Sequence, residues 1–251
     1  MSDFIAEADR EILARHGLDS FDALWALRLE AVDEPNTGRG GWSSVFRLDL
    51  GDTAYFLKRQ SNFLSRSPLR PFGEPTFARE FRNIRRYQAL GVPALEAAFF
   101  GTRQVDGERR AILVSRALDG WCELVGWLDG WDELSVRSRS AILLAVAGLA
   151  RRLHEAGQLH GCFYPKHVFL REAGAGFEAC LIDLEKTRPL LLGWRDRVKD
   201  LEALVRRADA WGEAEMRELL AAYLERPRDS EEVNDWLARL VHRRRNKERN
   251  Q

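Results

Sequence analysis

The sequence predicts an α+β protein of two lobes: a small antiparallel β-sheet with one helix in residues 1–116, and a mostly helical part in residues 117–251. Three observations lead there. The first half carries short runs of β-forming residues separated by Gly/Asp turns. One stretch of helical period interrupts them. Beyond residue 198 helical periodicity takes over.

In chain order, Trp42–Leu50 is rich in β-formers and ends at the Gly51-Asp52 turn; Ala54–Lys58 follows as the second arm of a hairpin. Gln60–Pro75, with three prolines and a glycine, reads as loop. Phe77, Phe81, Ile84 and Leu90 fall at helical spacing, and Gly91-Val92-Pro93 stops that helix. Ala97–Arg103 and Arg110–Ser115 are two more strands around Asp106-Gly107. The lobes join near Ser115–Gly120, and the cleft expected between them is where a ligand is expected. Ile142, Val146, Leu149 and Leu153 form a helical stripe with Gly157 at its C-terminal end. Val168–Leu170 and Cys180–Ile182 flank a Gly-Ala-Gly turn as a small hairpin. Three helices follow, marked by Leu201/Leu204/Val205, Met216/Leu219/Leu220/Tyr223 and Val233/Trp236/Leu237/Leu240; Asp229 is the expected cap of the last, with Glu232 three residues on.

Bulk composition excludes more than it names. Apolar residues make up 45% and charged residues 31%, a globular balance. Basic and acidic residues number 39 each, so only local clusters carry electrostatic information. Three scattered cysteines, Cys122, Cys162 and Cys180, give no disulfide framework and fit a reducing cytoplasm. The acidic Met1–Arg10 is not a signal peptide, and the longest apolar run, Ala141–Ala150, falls short of the ~20 residues that span a bilayer. Only five of the 39 basic residues are lysines: Lys58, Lys166, Lys186, Lys199 and Lys247. Where a generic cation serves, this chain uses arginine, so each lysine invites a reason.

Gly38-Arg39-Gly40-Gly41-Trp42-Ser43-Ser44-Val45 matches the phosphate-covering pattern G-x-G-x-x-G-x-V at Gly38, Gly40 and Val45, with Ser43 in the third glycine's place. Such a loop lets backbone N–H groups approach phosphate oxygens; a glycine-rich β-turn reads the same way. Lys58 ends the next apolar strand, where a compact ammonium fits between phosphates. Glu80, one helix later, has the order and spacing of the glutamate that orients such a lysine.

His160-Gly161-Cys162-Phe163-Tyr164-Pro165-Lys166-His167, followed by Leu181-Ile182-Asp183, carries the densest signal. On the template H-R-D-x-x-x-x-N … D-F-G, His160 takes the histidine position and Cys162 that of the catalytic aspartate. His167 then takes the place of the metal-binding asparagine, and Asp183 that of the second aspartate. Chance explains one match in this ordered series more easily than all of them.

With His167 for asparagine, the aromatic pair Phe163-Tyr164, Ile182-Asp183-Leu184 for D-F-G and Lys199-Asp200-Leu201 downstream, Gly38 to Arg207 resembles the Kdo/WaaP/InaA-type lipopolysaccharide kinase family. That resemblance implies a protein-kinase-like fold and ATP-dependent phosphorylation of heptose or Kdo in the lipopolysaccharide inner core. It also implies that Asp200 braces the catalytic loop. Gly38, Gly40, Gly41, Ser43, Val45, Lys58 and Glu80 would then hold ATP, Asp183 and His167 would hold Mg²⁺, and Cys162, His160 and Asp183 would be catalytic. The expected partners are a core sugar or another anionic glycolipid, with peripheral contact to the inner membrane from the cytoplasm; nucleic acid is not among them. Cys162 departs from the pattern: a thiol with pKa ~8.5 is a poor base. The alternative is therefore a pseudokinase that binds nucleotide as a scaffold or regulator in envelope biogenesis. A small-molecule kinase of the aminoglycoside or choline type is a third reading.

Other features have bland readings beside functional ones. His154, His160, Cys162 and His167 match no zinc spacing. Lys58, Arg59, Arg66, Arg70, Arg79, Arg82, Arg85 and Arg86, against Glu74 and Glu80, suit either an anionic substrate or a solvated face. The basic tail His242–Arg249 suits solvent or anionic lipid, and Trp121, Trp127 and Trp131 suit a core or the wall of a sugar site.

Overall fold

A computed structural model describes residues 3–38, 40–67 and 70–248, and gives no side-chain detail for 67 or 242–248. The tail at 242–249 therefore lies outside the described side chains, as does Arg39 of the glycine loop. The chain divides into two compact units, Met1–Ala89 with Leu95–Asp119, and Leu90–Ala94 with Gly120–Gln251. The division falls at 119/120 where 116/117 was expected, and assigns 90–94 to the second unit.

The first unit is built on β1 (Phe4–Ile5), β2 (Trp42–Leu50), β3 (Thr53–Ser61), β6 (Ala97–Val105) and β7 (Glu108–Arg116). They form one antiparallel sheet in the order β1-β6-β7-β3-β2. Two helices precede β2, α1 (Glu7–Arg15) and α2 (Phe21–Ala26); α3 (Thr76–Leu90) follows β3. Leu13, Phe21, Leu24, Leu48, Leu57, Ile112 and Val114 form the buried core of α1, α2 and the sheet. Its polar anchor is Asp9, which accepts from the Tyr55 hydroxyl and from Arg116 Nε, both at 2.8 Å. Burial and this carboxylate push the Tyr55 phenol far above its ordinary range. Lacking long apolar runs, α1 and α2 gave no clear periodic signal.

The stretch 60–75, expected as loop, instead contains a hairpin of β4 (Leu64–Ser67) and β5 (Arg70–Pro75) with a register shift between Ser65 and Ser67. Its prolines argued against strands, but a two-stranded ribbon tolerates proline at unpaired edge positions.

The second unit has β8 (Cys122–Glu123), α4 (Leu124–Asp129) and α5 (Val136–Glu155), then β9 (Gln158–Leu159), β10 (Val168–Ala173), β11 (Gly176–Leu181) and β12 (Arg188–Pro189). It closes with α6 (Trp194–Val205), α7 (Glu213–Leu224) and α8 (Glu231–Glu248). β11, β10 and β8 form one small sheet, and β12 and β9 another. Ser135 starts α5 by accepting from Ser138 N at 3.0 Å. Ile142, Val146, Leu149 and Leu153 are buried as their spacing predicted, with α5 packed on α7. Each such side chain contributes ~1.5–3 kcal/mol on burial. Trp131 is buried against Trp211, with ring centroids 5.9 Å apart, so it is core and not a sugar wall. The cap of α8 is Ser230, whose hydroxyl accepts from Val233 N at 3.4 Å, not the expected Asp229. Among the described residues no helix is long and apolar enough to cross a membrane.

Candidate active site

In the first unit, the glycine loop is a tight turn between Asn36 and Ser43, which pair through two 2.9 Å backbone bonds. Asn36 Oδ1 accepts from Gly38 N at 3.1 Å, and Gly40 takes a φ of +78°. A Cβ at Gly41 would stand 2.2 Å from the Ser61 carbonyl oxygen, so glycine there lets the loop pack on the end of β3. The β2–β3 register sets Val45 opposite Lys58 and Ser43 opposite Gln60, which places those side chains on one face.

Lys58 Nζ donates to Glu80 Oε1 at 2.7 Å, and the Glu80 side chain is only 4% exposed. The pair is positioned by a residue whose role the sequence did not reveal. Gln60, two positions along β3, accepts through Oε1 from Thr76 Oγ1 at 2.8 Å and from Phe77 N at 2.9 Å. It thereby caps the N-terminus of α3 from outside the helix, a turn before Glu80. An ordinary strand glutamine carries no local mark of that task. The neighbouring arginines largely serve structure: Arg59 donates to the Trp25 and Leu27 carbonyls, and Arg82 forks onto Glu74.

In the second unit, the segment from His160 to Asp183 is held by hydrogen bonds from both ends. Asp200 on α6 is buried and accepts from His160 N at 2.7 Å and Gly161 N at 3.0 Å, with His154 Nε2 at 3.4 Å. The backbone of the loop is therefore braced by a helix carboxylate, as the resemblance implied. His154 Nδ1 meets the Tyr223 hydroxyl at 2.8 Å, whose phenol burial pushes up to about 12. Asp200→Ala would leave two buried N–H groups without acceptors, each a loss of ~1–3 kcal/mol. Urea unfolding should show a stability loss of about 2–5 kcal/mol, with Asp200→Asn intermediate.

His160 is fully buried, and its tautomer follows from its partners. Nε2 lies 2.9 Å from the Ile182 carbonyl, which only accepts, so Nε2 carries the hydrogen and Nδ1 accepts from Cys162 N at 3.3 Å. Burial pushes this imidazole below its ordinary value, in keeping with a neutral ring. His160 thus ties the loop to the strand end before Asp183. It is a positioning group.

His167 repeats the logic with a different outcome. Nδ1 donates to the Cys162 carbonyl at 2.8 Å, which leaves Nε2 facing Asp183 Oδ2 at 3.3 Å. Two acceptors do not face each other unless a proton or another cation lies between them. Asp183 has φ +56°, ψ +61°, a left-handed conformation rare outside glycine, and no side-chain cap bond occupies its carboxylate, which is 43% exposed. The donor set therefore fits a divalent cation held by Asp183. Mg²⁺ is commonly bound by one or two carboxylates with phosphates and water, and imidazole is its weaker ligand. Among the described residues no three His, Cys, Asp or Glu side chains converge on one metal position.

Cys162 is 4% exposed and free. The carbonyl and amide of Cys162 are both engaged by the histidines, so the direction of its side chain is fixed.

The sequence profile of the lipopolysaccharide kinase (Kdo/WaaP) family matches residues 22–223. Protein InaA of Escherichia coli (strain K12) is 33% identical over 172 residues, which is 68% of this chain and 79% of InaA. The solved structure described as WaaP in complex with acyl carrier protein superposes with a TM-score of 0.69 at 25% identity, covering 97% of this chain and 99% of that one. The small antiparallel sheet with α3 and the mostly helical second unit are those of the protein-kinase-like fold. The chain belongs to the lipopolysaccharide kinase (Kdo/WaaP) family.

Proposed function

We propose that this protein transfers the γ-phosphate of ATP to a hydroxyl of heptose or Kdo in the lipopolysaccharide inner core. The observation that carries this reading is the Lys58–Glu80 pair, a buried carboxylate holding an ammonium at 2.7 Å on the strand that follows the glycine loop. Lys58 neutralises phosphate oxygens, and Glu80 keeps its ammonium aimed. Backbone of the Gly38–Val45 loop covers the phosphates. Asp183, with His167, would hold Mg²⁺, and the ion would supply neutralisation of the phosphate charge. The acceptor oxygen forms a bond to the γ-phosphorus as the bond to ADP breaks, and the hydroxyl proton leaves beside Cys162. A neutral thiol does not take up that proton, which passes to an oxygen of the transferred phosphate or to water, so positioning and charge neutralisation carry most of the rate. The work takes place on the cytoplasmic side, in peripheral contact with the inner membrane. The complex of WaaP with acyl carrier protein supports an acyl carrier protein as a further partner.

A second reading, a nucleotide-binding pseudokinase, is favoured by one observation: the buried thiol of Cys162 stands where the template has a carboxylate. Transfer of labelled γ-phosphate to purified core oligosaccharide, beside an ATP–magnesium thermal shift, separates the two. Transfer with a shift is the expected result. A shift without transfer supports the pseudokinase, and neither removes both.

A further inference from the structure

Two adjacent arginines follow the end of α6, and they are treated differently. Arg206 Nε pairs with the buried Glu202 at 3.0 Å. Arg207 is exposed; its guanidinium carbon lies 3.7 Å from the centre of the Tyr164 ring, and Nη1 donates to the Ala203 carbonyl at 3.3 Å. Neither recorded partner neutralises it. A guanidinium stacked on an aromatic face keeps in-plane N–H groups directed outward, and that edge matches a carboxylate or phosphate.

Tyr164 is held in turn. Its ring stacks on His167 at 5.4 Å, and its backbone N–H donates to the Cys162 carbonyl at 2.8 Å. A second cation stands at the same place. The Lys186 carbonyl oxygen and Cβ lie 2.8 and 3.5 Å from where a Cβ at Gly161 would be, so Lys186 backs directly onto the loop. Lys186 is exposed and is one of only five lysines in an arginine-rich chain. Arg207 on Tyr164 and Lys186 against Gly161 thus put two exposed cations beside the position of the catalytic base.

We propose that Arg207, stacked on Tyr164, and Lys186, packed against Gly161, form an anion subsite that grips a phosphate or carboxylate on the acceptor sugar next to the hydroxyl presented to Cys162. The subsite rests on the kinase reading for its purpose but not for its existence. Arg207 supplies the planar fork, and Lys186 supplies a mobile point charge. The acceptor is then a sugar already bearing an anionic group. The reaction that supplies it is either an earlier phosphorylation or the addition of an acidic sugar.

The test is calorimetric titration of the full chain, saturated with magnesium and a non-hydrolysable ATP analogue, with deacylated core oligosaccharide. Three forms of the probe are used: intact, dephosphorylated, and carboxyl-reduced. Wild type should lose about 10- to 100-fold in affinity when the recognised group is removed, the range of a charge-assisted hydrogen bond. Whichever form fails identifies phosphate or carboxylate as the group read. Arg207→Ala should lose as much on the intact probe and then no longer distinguish the forms; Lys186→Ala should do so in part. Unaltered urea midpoints show that both variants fold, and because both residues are exposed, one suffices if the other does not. Equal affinity of wild type for all three forms, absent binding of the intact form, or an Arg207→Ala variant that still discriminates would each overturn the subsite. Anion-dependent binding without γ-phosphate transfer leaves the subsite standing and removes the kinase reading. Transfer with an unchanged KM in Arg207→Ala does the reverse.

Discussion

Lys58→Ala is expected to lower the melting temperature by several degrees and to erase the stabilisation that ATP with magnesium gives the wild type. The two losses have different origins. Glu80 is 3% exposed, and its carboxylate is recorded with one cation, at 2.7 Å. Removing that cation leaves a buried charge unpaired, which costs about 3–5 kcal/mol in the general case. The Lys58 side chain keeps 20% exposure, so water reaches the pair and the lower end applies. For a chain of this size that corresponds to roughly 6–12 °C. The ligand effect is separate: a nucleotide at a hundred times its Kd adds about 2.7 kcal/mol to the native state. Lys58→Met combined with Glu80→Gln removes both charges at similar volume. That variant should regain most of the melting temperature and none of the ATP shift. If it regains both, Lys58 is a structural cation and the phosphate assignment fails; if neither single nor double variant loses the shift, the nucleotide binds elsewhere.

The same pair shows what could be read in the sequence and what could not. Lys58 stood out because a compact ammonium at a strand end was anomalous in an arginine-rich chain. Glu80 stood out through order and spacing. Gln60, which fixes α3 against β3, gave no sign, because a cap supplied from a distant strand leaves no mark at the helix start. Long elements with sustained period were legible: β2 spans Trp42–Leu50 as expected, and α3 ends at Leu90 before Gly91. Of the short or proline-bearing elements, the hairpin of β10 and β11 was legible, but β4, β5, α1 and α2 were not. β4 and β5 are held by pairing with each other, and α1 and α2 by burial of residues such as Leu13 and Phe21 against the sheet. Tertiary context decides both. In the second unit the ordered series from His160 to Asp183 was legible as a motif, and so was the bracing role of Asp200. The stacking of Arg207 on Tyr164, across more than forty positions, was not.

Cys162→Asp is expected to raise kcat for γ-phosphate transfer by about 10²–10⁴-fold, the contribution of a positioned general base. The loop is already set to aim such a group. The amide of Cys162 donates to His160 Nδ1 at 3.3 Å and its carbonyl accepts from His167 Nδ1 at 2.8 Å, so the new carboxylate would follow the direction of the present sulfur. Burial would oppose ionisation there, while Arg207, stacked on Tyr164, and Lys186, against Gly161, would favour it. Those cations make aspartate tolerable at a position that is 4% exposed, at a stability loss of about 1–3 kcal/mol measurable by urea unfolding. The gain should appear in kcat with KM little changed, because the proton is accepted in the transition state and not on binding. Cys162→Ala should stay within a few-fold of wild type if the thiol contributes little as a base. Should all three proteins fail to transfer phosphate while ATP still stabilises them, the pseudokinase reading holds. Should Cys162→Asp be slower than an active wild type, the sulfur is not at the proton-accepting position, and the assignment of Cys162 to the place of the catalytic aspartate fails.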